Sequence, residues 1–144
     1  MKFTSQVAID RPRQRVLELL LDTNHISQWQ QGIRSFELLS GSRDQVGARS
    51  RVVFEMRGVR LEMIETVVQY RPPDLFASTF EARGVKNLVE NRFHEDGAGR
   101  TRWVMDNTLE FKGMMSVLGV FIHDTVTKQT LASMSRFKMF AERS

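Results

Sequence analysis

The stretch that decides the fold is MMSVLGVFIHDTVTKQTLASMSRFKMFA, residues 114–141. It contains no proline and is long enough for about seven or eight turns, roughly 42 Å of α-helix. From Met114 to Ile122 it is apolar almost all round, as a helix covered on several sides should be. The second half is amphipathic. Thr127, Leu131, Met134 and Ala141 share one side, and Lys128, Arg136 and Lys138 lie mostly on the other. Lys138 and Arg143 also occupy the last turns, where positive charge suits the helix dipole. A helix this apolar at its start needs a large partner surface, and the preceding residues read as a sheet that supplies one.

Working back to the start, Lys2–Ile9 reads as a strand, with Phe3, Val7 and Ile9 among polar residues. Asp10 is placed to cap a helix that begins near Pro12 and buries Val16, Leu17, Leu19, Leu20 and Leu21. Asp22–Thr23–Asn24 offers a second cap, for a short helix from His25 to Gln31 that carries Ile26 and Trp29. From Arg34 the apolar period becomes two. Phe36, Leu38 and Leu39 mark a second strand, and Ala48–Met56 is the clearest of all, with Ala48, Ser50, Val52, Phe54 and Met56 on one face. Val59–Tyr70 follows Gly58, and its apolar parity switches near Met63–Ile64, where a bulge is expected. Leu75–Arg83 and Lys86–Glu95 come next, then a hairpin centred near Ala98 and the return strand Thr101–Phe111. The order is strand, two short helices, six strands, one long helix.

A chain of 144 residues is expected to form one domain, residues 1–144, around a single core. It has no cysteine, which excludes disulfide and thiol chemistry and fits a reducing compartment. The start, MKFTSQVAIDRPRQ, lacks the apolar core of a signal peptide. The longest nearly apolar run, 114–122, is far short of the about 20 residues that span a bilayer. A soluble, cytoplasmic protein is expected. The net charge of +4 and pI near 10.0 raise the question of nucleic acid. The arginines alternate with acids, however (Arg51, Glu55, Arg57, Arg60, Glu62, Glu65), which solvated strand faces explain, and no nucleic-acid partner is expected.

This order and several local marks resemble the START-related (SRPBCC) superfamily, nearest its polyketide cyclase/dehydrase and lipid-transport branch. The marks are VAIDRPRQRVLELLLD at 7–22 with Trp29 after it, and Gly41 and Gly47 around the second strand. Tyr70–Arg71–Pro72–Pro73 before the fifth strand and Gly97–Ala98–Gly99–Arg100–Thr101 before the seventh complete the set. The resemblance covers essentially the whole chain. It implies an α+β helix-grip fold, in which a strongly bent antiparallel sheet of about seven strands wraps around a long C-terminal helix. It also implies a space between sheet and helix that holds an apolar ligand. Function does not follow, because this fold hosts unrelated activities.

Little chemistry is visible in the residues. His25, His94 and His123 lie in different elements without ligand-like spacing, so no metal site is expected, and no cofactor motif occurs. Glu90 and Glu110 fall on the outward parity of their strands. The polar residues on apolar faces are more informative. Asn107 shares parity with Trp103, Met105 and Leu109, Asn87 and Asn91 with Val89 and Phe93, and Ser78 with Phe76 and Phe80. A buried amide without partners costs about 1–3 kcal/mol. Ser78 and Asn87 are therefore expected to bond their neighbours, while Asn91, Asn107 and His123 are assigned to orienting a ligand. The apolar lining is expected from Val52, Phe54, Met56, Phe80, Met105, Leu118 and Ile122, and the core from Trp29, Phe54, Trp103, Phe121 and Leu131.

Three functions fit. The first is a binding protein, a monomer or weak homodimer, that takes a lipid-like, aromatic or polyketide-like molecule without a cofactor. The second is a cyclase or dehydratase in which His123 acts as acid and base. The third is a protein-interaction module of the ribosome-associated or quinone-chaperoning kind that the resemblance permits. Asp124 points about 100° from His123 around the helix and is a poor orienting partner, so binding is preferred over catalysis.

Overall fold

The computed structural model describes the chain of 144 residues except Arg57 and, within the long helix, the side chains of 117–122. Seven strands form one antiparallel sheet: β1 (Lys2–Ile9), β2 (Ile33–Ser40), β3 (Arg49–Met56), β4 (Val59–Arg71), β5 (Leu75–Ala82), β6 (Val85–Glu95) and β7 (Thr101–Phe111). Their order is β1-β7-β6-β5-β4-β3-β2, so β1 and β2 are the edges. Between β1 and β2 run α1 (Arg13–Leu21) and a 3-10 helix, Thr23–Gln28; α2 (Met115–Glu142) closes the chain. This is the helix-grip fold.

The alternation in β3 sets the sheet's two faces. Ser50 and Val52 are buried while Arg49 is exposed, and Val52 pairs with Met63 and Phe54 with Leu61 of β4. The irregularity in β4 lies between Val67 and Gln69, not at Met63–Ile64. Met63, Glu65 and Val67 therefore share the inner face, and Tyr70 rejoins it opposite Phe76. A parity count favours an early switch because Ile64 is apolar, but Ile64 is only half-buried and faces outward with Arg51 and Glu81.

At one end of the inner face the second half of α2 meets α1 and the 3-10 helix over a cluster of aromatic rings. Phe137 is fully buried and sits edge-on to both Trp29 and Trp103, at 5.1 Å from each ring centroid. Phe93 stacks on Trp103 from the neighbouring strand, at 6.5 Å. Such pairs add about 0.5–1.5 kcal/mol each beyond the area they bury. Trp29 and Trp103 belong to the core as expected, whereas Phe54 is half-buried and Leu131 is 45% exposed. Phe121 lies outside the described side chains. The buried stripe of α2 runs through Met134, Phe137 and Ala141, so Leu131 sits just beyond its edge.

The two ends of the chain are tied together. The backbone N–H of Asp10 donates to Glu142 Oε2 at 2.8 Å, and the Arg11 guanidinium donates to the Glu142 carbonyl. Asp10 does not cap α1; Pro12 occupies the cap position, with no side-chain bond. The second cap is as expected, with Asp22 accepting from the Asn24 N–H at 3.0 Å. At the opposite end, the β5–β6 turn packs on the start of α2. Gly84 has φ +80°, and a Cβ there would lie 2.7 Å from Met115 Cγ, so only glycine fits this turn.

Candidate ligand-binding face

The register places two adjacent rungs of side chains across the middle of the inner face. One runs Asn107, Val89, Ser78 and Val67 from β7 to β4. The next runs Leu109, Asn87, Phe80, Glu65 and Ser50 from β7 to β3. Five polar residues thus interrupt an apolar floor. Ser50 and Ser78 are each 1% exposed and Asn107 is 4% exposed, so water does not solvate them as it would at a surface.

Their hydrogen bonds leave several atoms over. Asn87 Nδ2 donates to Asn107 Oδ1 at 2.9 Å, while Asn87 Oδ1 and Asn107 Nδ2 have no partner among the described residues. Ser50 Oγ and Ser78 Oγ are also buried and unpartnered among the described residues. Asn91 is different. Its Nδ2 donates to the Phe76 carbonyl at 3.1 Å and its Oδ1 accepts from Trp103 Nε1 at 2.9 Å, so both ends of the amide are bonded. Asn91 is a structural bracket that orients Trp103. Ser78, expected to bond a neighbour, has no hydrogen-bond partner among the described residues. Asn107 is diagonal to both Asn87 and Asn91 and pairs with Asn87 because Trp103 already holds Asn91.

Glu65 is the one carboxylate on this floor among the described residues, and it is 1% exposed. Arg43, from the loop between β2 and β3, grips it with two bonds, Nε to Oε1 at 3.3 Å and Nη2 to Oε2 at 3.1 Å. The Arg43 Nη1 group donates to the carbonyls of Leu20 and Leu21 at the end of α1. The guanidinium carbon also lies 4.6 Å from the Phe36 ring centroid, within cation–π range. Removing two charges from water is costly, and only this density of partners makes it tolerable. The pair closes the sheet against α1 at one flank of the floor.

The apolar residues expected to line a site fall mostly where the parity put them. Val52 is buried, and Phe54, Met56, Phe80 and Met105 are half-buried. Leu118 and Ile122 lie outside the described side chains. His123 is not enclosed with the others: its side chain is 47% exposed. Its ring sits edge-on to Phe3 at 6.2 Å, and its Nδ1 lies 3.4 Å from Asp124 Oδ1. Asp124 is thus in reach of the ring, but at 92% side-chain exposure it fixes little. Glu90 and Glu110 face outward as expected; Glu90 pairs with Arg92 at 3.2 Å. Other outward arginines are paired in the same way, Arg51 with Glu37 and Glu62 and Arg34 with Glu55. Among the described residues no group of side chains is arranged to hold a metal ion.

Reading the sequence missed Arg43 and Glu65. A signal for Glu65 was present, since it alternates with Met63 and Val67, but the assumed early bulge turned it outward. Arg43 had none, because a loop arginine in SGSRDQ looks like any solvated charge.

A curved sheet closed over a long helix, with polar groups set into an apolar inner face, defines a helix-grip protein. The chain belongs to the polyketide cyclase / dehydrase and lipid transport family, whose model matches residues 1–139. Among solved structures it is similar to the ZhuI aromatase/cyclase from Streptomyces sp. R1128, with TM-score 0.84 and 16% identity over 99% of this chain and 94% of that one. It is also similar to a conserved protein from Geobacillus kaustophilus, with TM-score 0.80 and 15% identity over 100% and 97% of the two chains. Ara h 8.0201 superposes with TM-score 0.78 and 12% identity, covering 100% and 99%. At these identities the likeness is one of fold. No curated protein matches the sequence.

Proposed function

We propose that the protein binds a hydrophobic small molecule between the inner face of the sheet and α2. The observation that carries this reading is the set of buried polar atoms on Ser50, Ser78, Asn87 and Asn107 that have no partner among the described residues, set among apolar side chains of the inner face. Each such group costs about 1–3 kcal/mol while unsatisfied, and a ligand with complementary polar atoms removes that cost. The half-buried Phe54, Met56, Phe80 and Met105 supply adaptable apolar contact beside them. The protein acts as a monomer or weak homodimer in the cytoplasm, and no helix among the described residues is long and apolar enough to cross a membrane.

The family and the aromatase/cyclase likeness support a second reading, in which the same floor orients a reactive carbonyl compound for cyclisation or dehydration. His123 serves it poorly as acid and base, its side chain being 47% exposed. Native mass spectrometry of protein purified without detergent tests the binding reading directly. A retained small molecule, or saturable binding of a naphthalene-based fluorescent probe at micromolar concentration, is the expected result. No retained mass together with no saturable binding of any apolar probe would defeat it.

A further inference from the structure

We infer that a groove at one end of the sheet's outer face binds the phosphoryl group of an anionic molecule between Arg71 and Arg102. This site is separate from the inner face and does not rest on the ligand-binding reading above.

Strand register builds the groove. Phe93 and Trp103 turn inward, where their rings stack, so Arg92, His94 and Arg102 point outward. Leu75 pairs with both Arg71 and Arg92, which places Arg71 and Leu75 on the same outward face. Arg13, at the start of α1, bonds Asp74 of the β4–β5 connection and closes the end of the patch. Together these residues line a groove of about 480 Å³. Leu75 is 2% exposed and lies between Arg71 and Arg92 in the register, so part of the floor is apolar. A cleft with low-dielectric walls focuses the field of the charges around it.

Four arginines and two carboxylates line the groove, and the carboxylates are not shared evenly. Arg13 takes both of them. Its Nη1 donates to Asp74, and its Nη2 lies 3.9 Å from Glu95 Oε1. Arg92 pairs with carboxylates beside the groove, Glu90 at 3.2 Å and Asp106 at 3.0 Å. Arg71 and Arg102 have no carboxylate within ion-pair distance among the described residues. Arg102 makes one side-chain bond, from Nη1 to Gln6 Oε1 at 3.4 Å, although a guanidinium carries five N–H donors. Both arginines are exposed, so a ligand from solution reaches them.

A phosphoryl group matches what is left over. The planar guanidinium fork pairs with two phosphate oxygens at once. A terminal phosphate carries about −1.5 to −2 charges and three acceptor oxygens, which serve two forks on opposite sides. A carboxylate brings one charge and two oxygens, and serves one fork. Arg71 and Arg102 start from β4 and β7, three strand spacings or about 14 Å apart across the sheet. That separation leaves room for a group between their side chains.

Titration calorimetry on the whole chain tests this with three probes: inorganic pyrophosphate, dihexanoyl phosphatidic acid and succinate. We expect at least one of the two phosphates to saturate the protein below about 1 mM. It should bind at least about tenfold more tightly than succinate. Which phosphate binds more tightly tells a soluble phosphate compound from a lipid headgroup. Arg71→Gln and Arg102→Gln should each weaken the tighter one about tenfold, a loss that an acyl chain held on the inner face would not show. Arg60→Gln, an exposed arginine at the opposite end of β4, should leave it unchanged. Succinate binding as tightly, groove variants that bind like wild type, or an equal loss in Arg60→Gln overturns the inference. So does the absence of saturable binding by either phosphate. The reading of the inner face stands or falls separately, on the naphthalene probe.

Discussion

Arg43 and Glu65, twenty-two residues apart in the chain, form a two-bonded ion pair in which the carboxylate is 1% exposed and the guanidinium side chain 14%. It joins the β2–β3 loop, the end of α1 and the inner face of the sheet at one point.

Breaking such a pair from one side leaves a buried charge without its partner. Glu65→Gln or Arg43→Met should each destabilise the fold by about 3–5 kcal/mol in urea unfolding. The double variant Arg43→Met/Glu65→Leu should cost much less than the two singles added, because no orphaned charge remains. Strict additivity would mean that the two side chains are not coupled.

The two faces of α2 differ sharply in what they contribute. Phe137→Ala empties a site bounded by Trp29 and Trp103 and should cost about 3–5 kcal/mol. Leu131→Ala, at 45% exposure, should cost about 0.5–1 kcal/mol or less. Equal losses in thermal or urea unfolding would contradict the observed helix face.

Glu142 is held as a carboxylate. The hydrogen bond from Lys138 Nζ, at 2.7 Å, and that from the Asp10 N–H both lower its pKa below the ordinary glutamate value. A depressed folded-state pKa adds stability above the unfolded value of about 4.3, and that increment is lost as pH falls through the folded value. Glu142→Gln should therefore lower the melting temperature slightly at pH 7, by the equivalent of about 0.5–1 kcal/mol. As pH falls below the folded-state pKa, the difference from wild type should vanish. A gap that widens with acid would refute this account of the tie.

His123 separates binding from acid–base chemistry. His123→Gln should leave both the fold and the affinity for a naphthalene probe within about twofold of wild type, since the ring is half exposed. Tenfold weaker binding in a folded variant would bring His123 into the site.

Much of this fold was legible because it follows from local pattern. The period-two alternation of Ala48–Met56 and Thr101–Phe111 gave strands within a residue of those observed, and the hairpin centre at Ala98 gave the pairing of Phe93 with Trp103. The proline-free run after Gly113 gave α2. These features depend on residues near one another in the chain, so periodicity and turn chemistry suffice to find them.

What the chain alone did not determine is which partner each polar group has. The identity of Asn87, Asn91 and Asn107 and their common parity were plain, but Trp103 claims Asn91 and leaves Asn87 for Asn107. Which amide is spent and which is left over is settled by a side chain on the neighbouring strand. The same holds for α2, where Leu131 and Phe137 both look like core residues until Trp29 and Trp103 fix the rotation of the helix. Most plainly it holds for Glu65, which a bulge at Val67–Gln69 rather than at Met63–Ile64 turns from a solvated charge into a buried one. A strand's register has period two, so a small error reverses every side chain beyond it, and only pairing with β3 and β5 removes that ambiguity. The sequence by itself determined the elements and their order; hydrogen-bond competition and strand register, which are properties of the assembled sheet, decided the site.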